Sequence, residues 1–187
     1  MSMYSETVRS VEQHLIEQAQ QGDREAFGEL VRLHFQGAIN VVYRLSGDIH
    51  LAEDIAQETF IRVWTKLHTY RPVGSFRGWV YRIATNAALD ALRRRKTELS
   101  VDELALPVKG GSVEHSIMRR QQTEFVQQAV LELPAASRIV LVLREYEGLT
   151  YREIADSLEI PLGTVMSRLA YAREALKKKL FKQMEEA

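Results

Sequence analysis

The sequence predicts an all-α protein: two small helical domains joined by a flexible linker, the second built around a helix-turn-helix. Three observations carry that prediction. Apolar residues recur at helical spacing along most of the chain, and no stretch alternates as a half-buried strand would. The periodicity fails across KTELSVDELALPVKGGSVEH, residues 96–115, where Pro107, Gly110 and Gly111 give the composition of a tether. Beyond it, GLTYREIADSLEIPLGTVMSRLAYAREALKKKL reads as a short capped helix, a turn and a longer helix. The expected units are residues 14–96, a linker over 97–114, and residues 115–182.

The elements follow in order. HLIEQAQQGDREAFGELVRLHFQGAINVVYRL forms two helices broken near Gly22-Asp23. A third helix runs from about His50 to Leu67, with Leu51, Ala52, Ile55, Phe60, Ile61 and Trp64 expected on its buried side. TYRPVGS carries Pro72 and Gly74 and is a loop. A fourth helix starts at Ser75 or Phe76 and runs to about Lys96. Helices over roughly 115–132, 135–146, 151–158 and 162–182 make the second unit, with Pro134 ending one and starting the next.

Composition narrows the function. The chain has 187 residues, 45% of them hydrophobic and 27% charged, as in ordinary folded proteins. It has no cysteine, which excludes disulfide scaffolds, thiol catalysis and cysteine-based zinc sites. MSMYSETVRS lacks the apolar core of a signal peptide, and no stretch approaches the ~20 apolar residues that span a bilayer. A cytoplasmic protein with no direct membrane insertion is expected. Formal charge is zero, with 25 basic and 25 acidic residues, but the charges are segregated. Residues 1–61 hold four basic and ten acidic side chains, residues 62–96 nine and one, and residues 162–182 six and one. Exposed charges more than about 8–10 Å apart are largely screened, so local density matters more than the total. Acidic and basic blocks suggest two kinds of partner.

In the C-terminal unit, Thr150 and Glu153 have the spacing of a capping box. Val165, Leu169, Ala172 and Leu176 form a buried stripe on the second helix. Thr164, Ser167, Ala170, Tyr171 and Glu174 fall opposite, flanked by Met166, Arg168 and Arg173. Short polar residues near the start of such a helix suit reading in the major groove. The Lys177-Lys178-Lys179 run suits phosphate contacts, which add affinity without sequence information.

The stretch FRGWVYRIATN, residues 76–86, carries three large aromatics, two arginines and no acid. At about 100° per residue, Phe76, Trp79, Val80, Ile83, Ala84, Ala87 and Ala91 share a broad apolar arc, with Trp79 at its edge. Arg82, Asn86 and Arg93 line a narrow stripe beside Trp79. Aromatics next to arginines suit unpaired nucleic acid, because stacking contributes about 1–3 kcal/mol per base and tolerates any sequence. An asparagine adds a paired donor and acceptor for a base edge. A solvated basic face with structural aromatics is the bland alternative.

AEDIAQETFIRVW, WVYRIATNAALDALRRRK and EGLTYREIADSLEIPLGTVMSRLAYAREALKKKL, in that order, closely resemble bacterial RNA polymerase sigma factors of the extracytoplasmic-function (ECF) group. The likeness runs from about residue 14 to 182. It implies a promoter-recognition subunit with no catalytic residues, no cofactor and no metal. Residues 14–96 would bind and melt the minus-ten element, through Tyr70, Arg71, Phe76, Arg77, Trp79, Arg82, Asn86, Arg93 and Arg94. In the family the asparagine at the place of Asn86 lines a pocket for a flipped non-template base, and the loop from Tyr70 to Phe76 helps choose that base. Residues 115–182 would read the minus-thirty-five element, through Thr164, Met166, Ser167, Arg168, Tyr171, Arg173 and Lys177. Met166 and Tyr171 depart from the family, which often has basic residues there. Asp54, Gln57 and Glu58 fall on positions that bind the beta-prime clamp of core RNA polymerase, with beta a further partner. The resemblance also implies an anti-sigma factor, commonly membrane-anchored, and a stress or envelope-response regulon.

A stand-alone helix-turn-helix regulator would explain Thr150–Lys182 but leave FRGWVYRIATN and the acidic helix unexplained. A nucleic-acid enzyme lacks support: no carboxylates cluster at metal-ligand spacing, and His14, His34, His50, His68 and His115 are scattered.

Overall fold

The computed structural model describes residues 2–72, 74–99 and 114–186. Eight α-helices appear among them: α1 (Ser2–Gln20), α2 (Arg24–Ser46), α3 (Ile49–Lys66), α4 (Phe76–Leu99), α5 (Glu114–Leu131), α6 (Ala135–Leu141), α7 (Tyr151–Leu158) and α8 (Leu162–Glu186). The described residues contain no strand, as expected. The centre of the predicted linker, residues 100–113, lies outside the described residues. Its flanks differ from the expectation in one respect: α4 continues to Leu99.

Local chemistry places the breaks. Asp23 caps α2 by accepting from the backbone N–H groups of Glu25 and Ala26, which satisfies donors that a helix start leaves unpaired. Asp48 caps α3 through the Leu51 N–H. The Leu51 N–H is the main reason that the Asp48 carboxyl sits below the usual carboxylate range, against the pull of burial and with help from Arg95. α6 runs into a single π-helical turn over Val142–Tyr146, so the helix expected over 135–146 is continuous in outline but widened at its end.

α1–α4 form one helical layer, with Leu30, Val41, Val42, Ala56, Val63, Val80 and Ala84 at its centre. α6 and α7 pack on α8 around Val140, Leu143, Ile154, Val165 and Leu169. The two halves share one continuous apolar cluster, because α7 packs against α4 while α5, α6 and the π turn pack against α2. Polar contacts reinforce this closure. Tyr81 donates to Glu147 at 2.6 Å, Arg44 to Gln127 at 2.8 Å, and Arg138 to the Leu45 carbonyl.

The fourth helix shows why a single projection understates its burial. The predicted arc is buried at Phe76, Val80, Ala84 and Ala87. Tyr81, Thr85 and Ala88, outside that arc, are buried too, because the C-terminal half covers a second side of α4. On α3 the reverse holds. Ile61, expected in the core, is 67% exposed, and Trp64 is 37% exposed; the buried stripe of α3 is narrower than its apolar residues suggest, and these two lie on its solvent side.

Candidate nucleic-acid interface

Trp79 is held by its neighbours rather than standing free. Its ring lies 4.9 Å from Tyr70 and 5.7 Å from Phe76, centroid to centroid. Tyr70 and Phe76 were expected to face nucleic acid. They are buried, at 7% and 2% exposure, so neither presents a ring to a base. Their faces are spent on Trp79 and on each other, edge to face, and Phe76 also meets His34. Burial pushes the Tyr70 phenol up to about 12, which keeps it neutral. Both residues seat the tryptophan, and Trp79, half-buried, offers what remains.

Two turns on, Asn86 is exposed, with Arg93 and Arg94 beyond it, while Arg82 is half-buried. Arg82 pairs with Glu159 at 2.5 Å. Arg71 is exposed in the loop, its guanidinium donating to the Tyr70 carbonyl at 3.1 Å, and Arg77 is half-buried. Asn86 and Arg93 line a cavity of about 630 Å³ whose far wall includes Ala135, Ile139, Leu158 and Arg168. A second cavity of about 640 Å³ joins Trp79, Arg71 and Arg82 to Asp156, Ser157 and Glu159. The stripe beside Trp79 therefore exists as expected, and the helix-turn-helix covers it.

The C-terminal unit carries the predicted capping box. Thr150 Oγ1 accepts from the Glu153 N–H at 3.2 Å, and Glu153 accepts from the Thr150 N–H at 2.8 Å. Burial works to raise the Glu153 carboxyl, but the Thr150 backbone and hydroxyl outweigh it and hold the group below its usual range. On α8, Val165, Leu169 and Ala172 are buried as predicted. Met166, Ser167, Ala170, Tyr171 and Lys177 are exposed, Thr164 and Arg168 half-buried. Arg173 is exposed and donates to Glu145 through Nε at 3.1 Å.

On α3, Asp54, Gln57 and Glu58 are all exposed, with Ile61 two turns beyond Asp54 on the same side. Glu58 pairs with Arg62 at 2.6 Å. Among the described residues, no group of three or more His, Asp or Glu could hold a metal ion, and no helix is long and apolar enough to cross a membrane.

Residues 30–98 match the family model of sigma-70 region 2, and residues 126–176 that of sigma-70 region 4. The chain is 34% identical to ECF RNA polymerase sigma factor SigW of Bacillus subtilis (strain 168), a match covering 88% of this chain and 94% of SigW. The chain belongs to the ECF sigma factors. It is a promoter-recognition subunit of RNA polymerase, acting at transcription initiation, and not an enzyme. The sigma factor is also 37% identical to RNA polymerase sigma-H factor of Pseudomonas aeruginosa, over 94% of this chain and 97% of the relative. It is 35% identical to the ECF sigma-E factor of Escherichia coli (strain K12), over 90% and 94%. In fold it resembles CnrH, solved in complex with the cytosolic domain of CnrY, with a TM-score of 0.72 and 24% identity over 92% of this chain and 98% of that one. It also resembles RpoE of Bartonella quintana, solved with the anti-sigma factor NepR, with a TM-score of 0.66 and 23% identity over 82% and 96%.

Sequence reasoning missed the residues that join the halves of this sigma factor: Tyr81, Arg138, Glu147 and Glu159. Arg138 had the weakest signal. Its guanidinium is half-buried against the Leu45 and Leu133 carbonyls, and burial lowers its pKa. A tyrosine at position 81, outside the apolar arc of α4, was a visible sign that another surface covers that side.

Proposed function

We propose that the sigma factor divides promoter recognition between its halves. Residues 14–96 bind polymerase and open the minus-ten element, residues 115–182 read the minus-thirty-five element, and 97–114 is the tether. The observation that carries this reading is the stripe on α4: Asn86 exposed between Arg82 and Arg93, beside a tryptophan fixed by tilted contacts with two buried rings. Extruding a base costs a few kcal/mol. Stacking on Trp79, about 1–3 kcal/mol, together with a base-edge contact to the Asn86 amide, offsets that cost. Arg71, Arg77, Arg82, Arg93 and Arg94 supply the positive charge for the strand's phosphates.

Arg82 cannot serve a phosphate and Glu159 at once, so the halves part when promoter is bound. Docking of Asp54, Gln57 and Glu58 on the beta-prime clamp, and of the C-terminal half on beta, fixes the separated arrangement. A membrane-anchored anti-sigma partner and an envelope- or stress-response regulon belong to the same proposal, with the protein working in the cytoplasm. Its support is the likeness in fold to CnrH, solved with the cytosolic domain of CnrY, and to the sigma factor RpoE, solved with the anti-sigma factor NepR, and a closed arrangement that one partner touching both halves would hold.

Asn86→Ala tests the reading. Holoenzyme carrying it should form open complexes about tenfold less well, the scale of one lost base-edge contact, with circular dichroism and core-polymerase affinity unchanged. An unaltered open-complex yield rejects the assignment.

A further inference from the structure

The outward face of α8 presents few of the groups that read guanine. The helix has two guanidiniums, Arg168 and Arg173. Arg168 lines the cavity opposite Asn86 and, at about 100° per residue, leaves α8 nearer the buried Ala172 than Met166 or Ala170, so it stays off that face when the halves part. Arg173 is ion-paired with Glu145. What α8 offers outward through its first turns is Met166, 53% exposed, Ser167, Ala170, and Tyr171, 55% exposed.

In the major groove, guanine shows two acceptors that suit a guanidinium, whereas thymine shows a C5 methyl that suits an apolar contact. Met166 and Ala170 are one turn apart and adjacent on the surface. Tyr171 lies about 7.5 Å further along the axis than Met166, about two base-pair steps of 3.4 Å. The exposed Ser167 hydroxyl already donates to the Thr164 carbonyl at 3.1 Å, so its oxygen is left as an acceptor, the partner for an adenine N6 amine. Lys177 and Lys178 continue the same exposed side and match duplex phosphates better than an apolar protein groove.

We propose that Met166, Ala170 and Tyr171 read thymine C5 methyls, so that the minus-thirty-five element of this sigma factor is selected at A·T pairs more than at guanine. The proposal rests on α8 being the helix that reads that element.

Holoenzyme of the full chain and core polymerase is used to select duplexes from a pool randomised across the upstream element. Thymines in the selected duplex are then replaced singly by deoxyuridine, which removes the methyl alone. A·T enrichment is expected, with about a fourfold loss of binding for each contacted methyl. That loss should vanish at one position in Met166→Ala and at another in Tyr171→Ala, both exposed sites where folding is unaffected. Uracil bound as well as thymine, enrichment of guanine, or methyl sensitivity unchanged in both variants overturns the proposal while α8 still reads DNA. Absence of any upstream enrichment removes the reading of α8 as well. Loss of core-polymerase affinity in Met166→Ala overturns the proposal in favour of a protein contact.

Discussion

Tyr81→Phe should open the molecule without unfolding it. Tyr81 is 3% exposed, and its hydroxyl donates to Glu147 across the interface between halves. Burial first, then that hydrogen bond, raises its pKa. The substitution keeps the ring and its packing on α4 but removes a bond to a charged acceptor, and such bonds contribute about 1.5–3 kcal/mol. Glu147 is half-buried, so water replaces part of the loss, leaving roughly 1–2 kcal/mol, a factor of about 5–30 in the closed-to-open ratio. Small-angle scattering or fluorescence transfer between labels on the two halves reads that ratio; a compact chain of this length has a radius of gyration of about 16 Å. Gly37→Ala supplies an independent route to the same end, since an added Cβ would sit 2.1 Å from the Tyr81 hydroxyl. Alanine favours the helix by up to about 1 kcal/mol, so α2 gains while the latch is lost. An unchanged distance distribution in both variants would refute the account of closure.

The α3 face is tested by Asp54→Lys with Glu58→Lys. Like charges brought together at an interface cost several kcal/mol, so affinity for core polymerase should fall at least about tenfold; equal affinity in a direct binding assay discredits that face. Stability should depend on acid. The folded pKa values of Asp48 and Glu153 are depressed, so their contribution is complete above the ordinary carboxylate range of about 4 and is lost as pH falls through it. Melting temperature measured from pH 6 to 3 should fall less steeply in Asp48→Asn and Glu153→Gln than in the parent; parallel curves contradict the assignment. Glu159 caps α7 in the left-handed region, at φ 52°, which costs a non-glycine residue about 1–2 kcal/mol. Glu159→Gly should therefore leave thermal stability equal or higher and the closed-to-open ratio little changed, and a clear drop in melting temperature would argue against the strain.

Elements whose signals are local were legible in the sequence. Asp23, Asp48 and Thr150 each fix a helix start through their own side chains, and those starts lie where expected. The stripe on α8 that begins at Val165 needs only its own helix for meaning. Tyr70 and Phe76 mark the limit. Beside Arg71 and Arg77 they resemble recognition groups, and only the folded packing shows their ring faces turned on Trp79. Ile61 marks it from the other direction, an apolar side chain outside the core and beside the acidic face.

The closed interface was illegible because each of its contacts pairs residues far apart in sequence, with no periodicity to announce them. Gly78 illustrates the closeness involved: an added Cβ would lie 2.3 Å from the Ser157 hydroxyl on α7. The charge blocks gain a second meaning here. Arg82, from the basic block, is met by Glu159, in a pair exposed enough to be worth under about 1 kcal/mol. A contact that weak does not hold the halves together; apolar burial and the Tyr81 hydrogen bond do that. On the proposed reading, in which Arg82 serves a phosphate, the pair leaves that guanidinium already neutralised by a carboxylate. Separation of the halves therefore exposes charge and apolar surface on the same face of α4 at the same moment, the combination that unpaired nucleic acid requires.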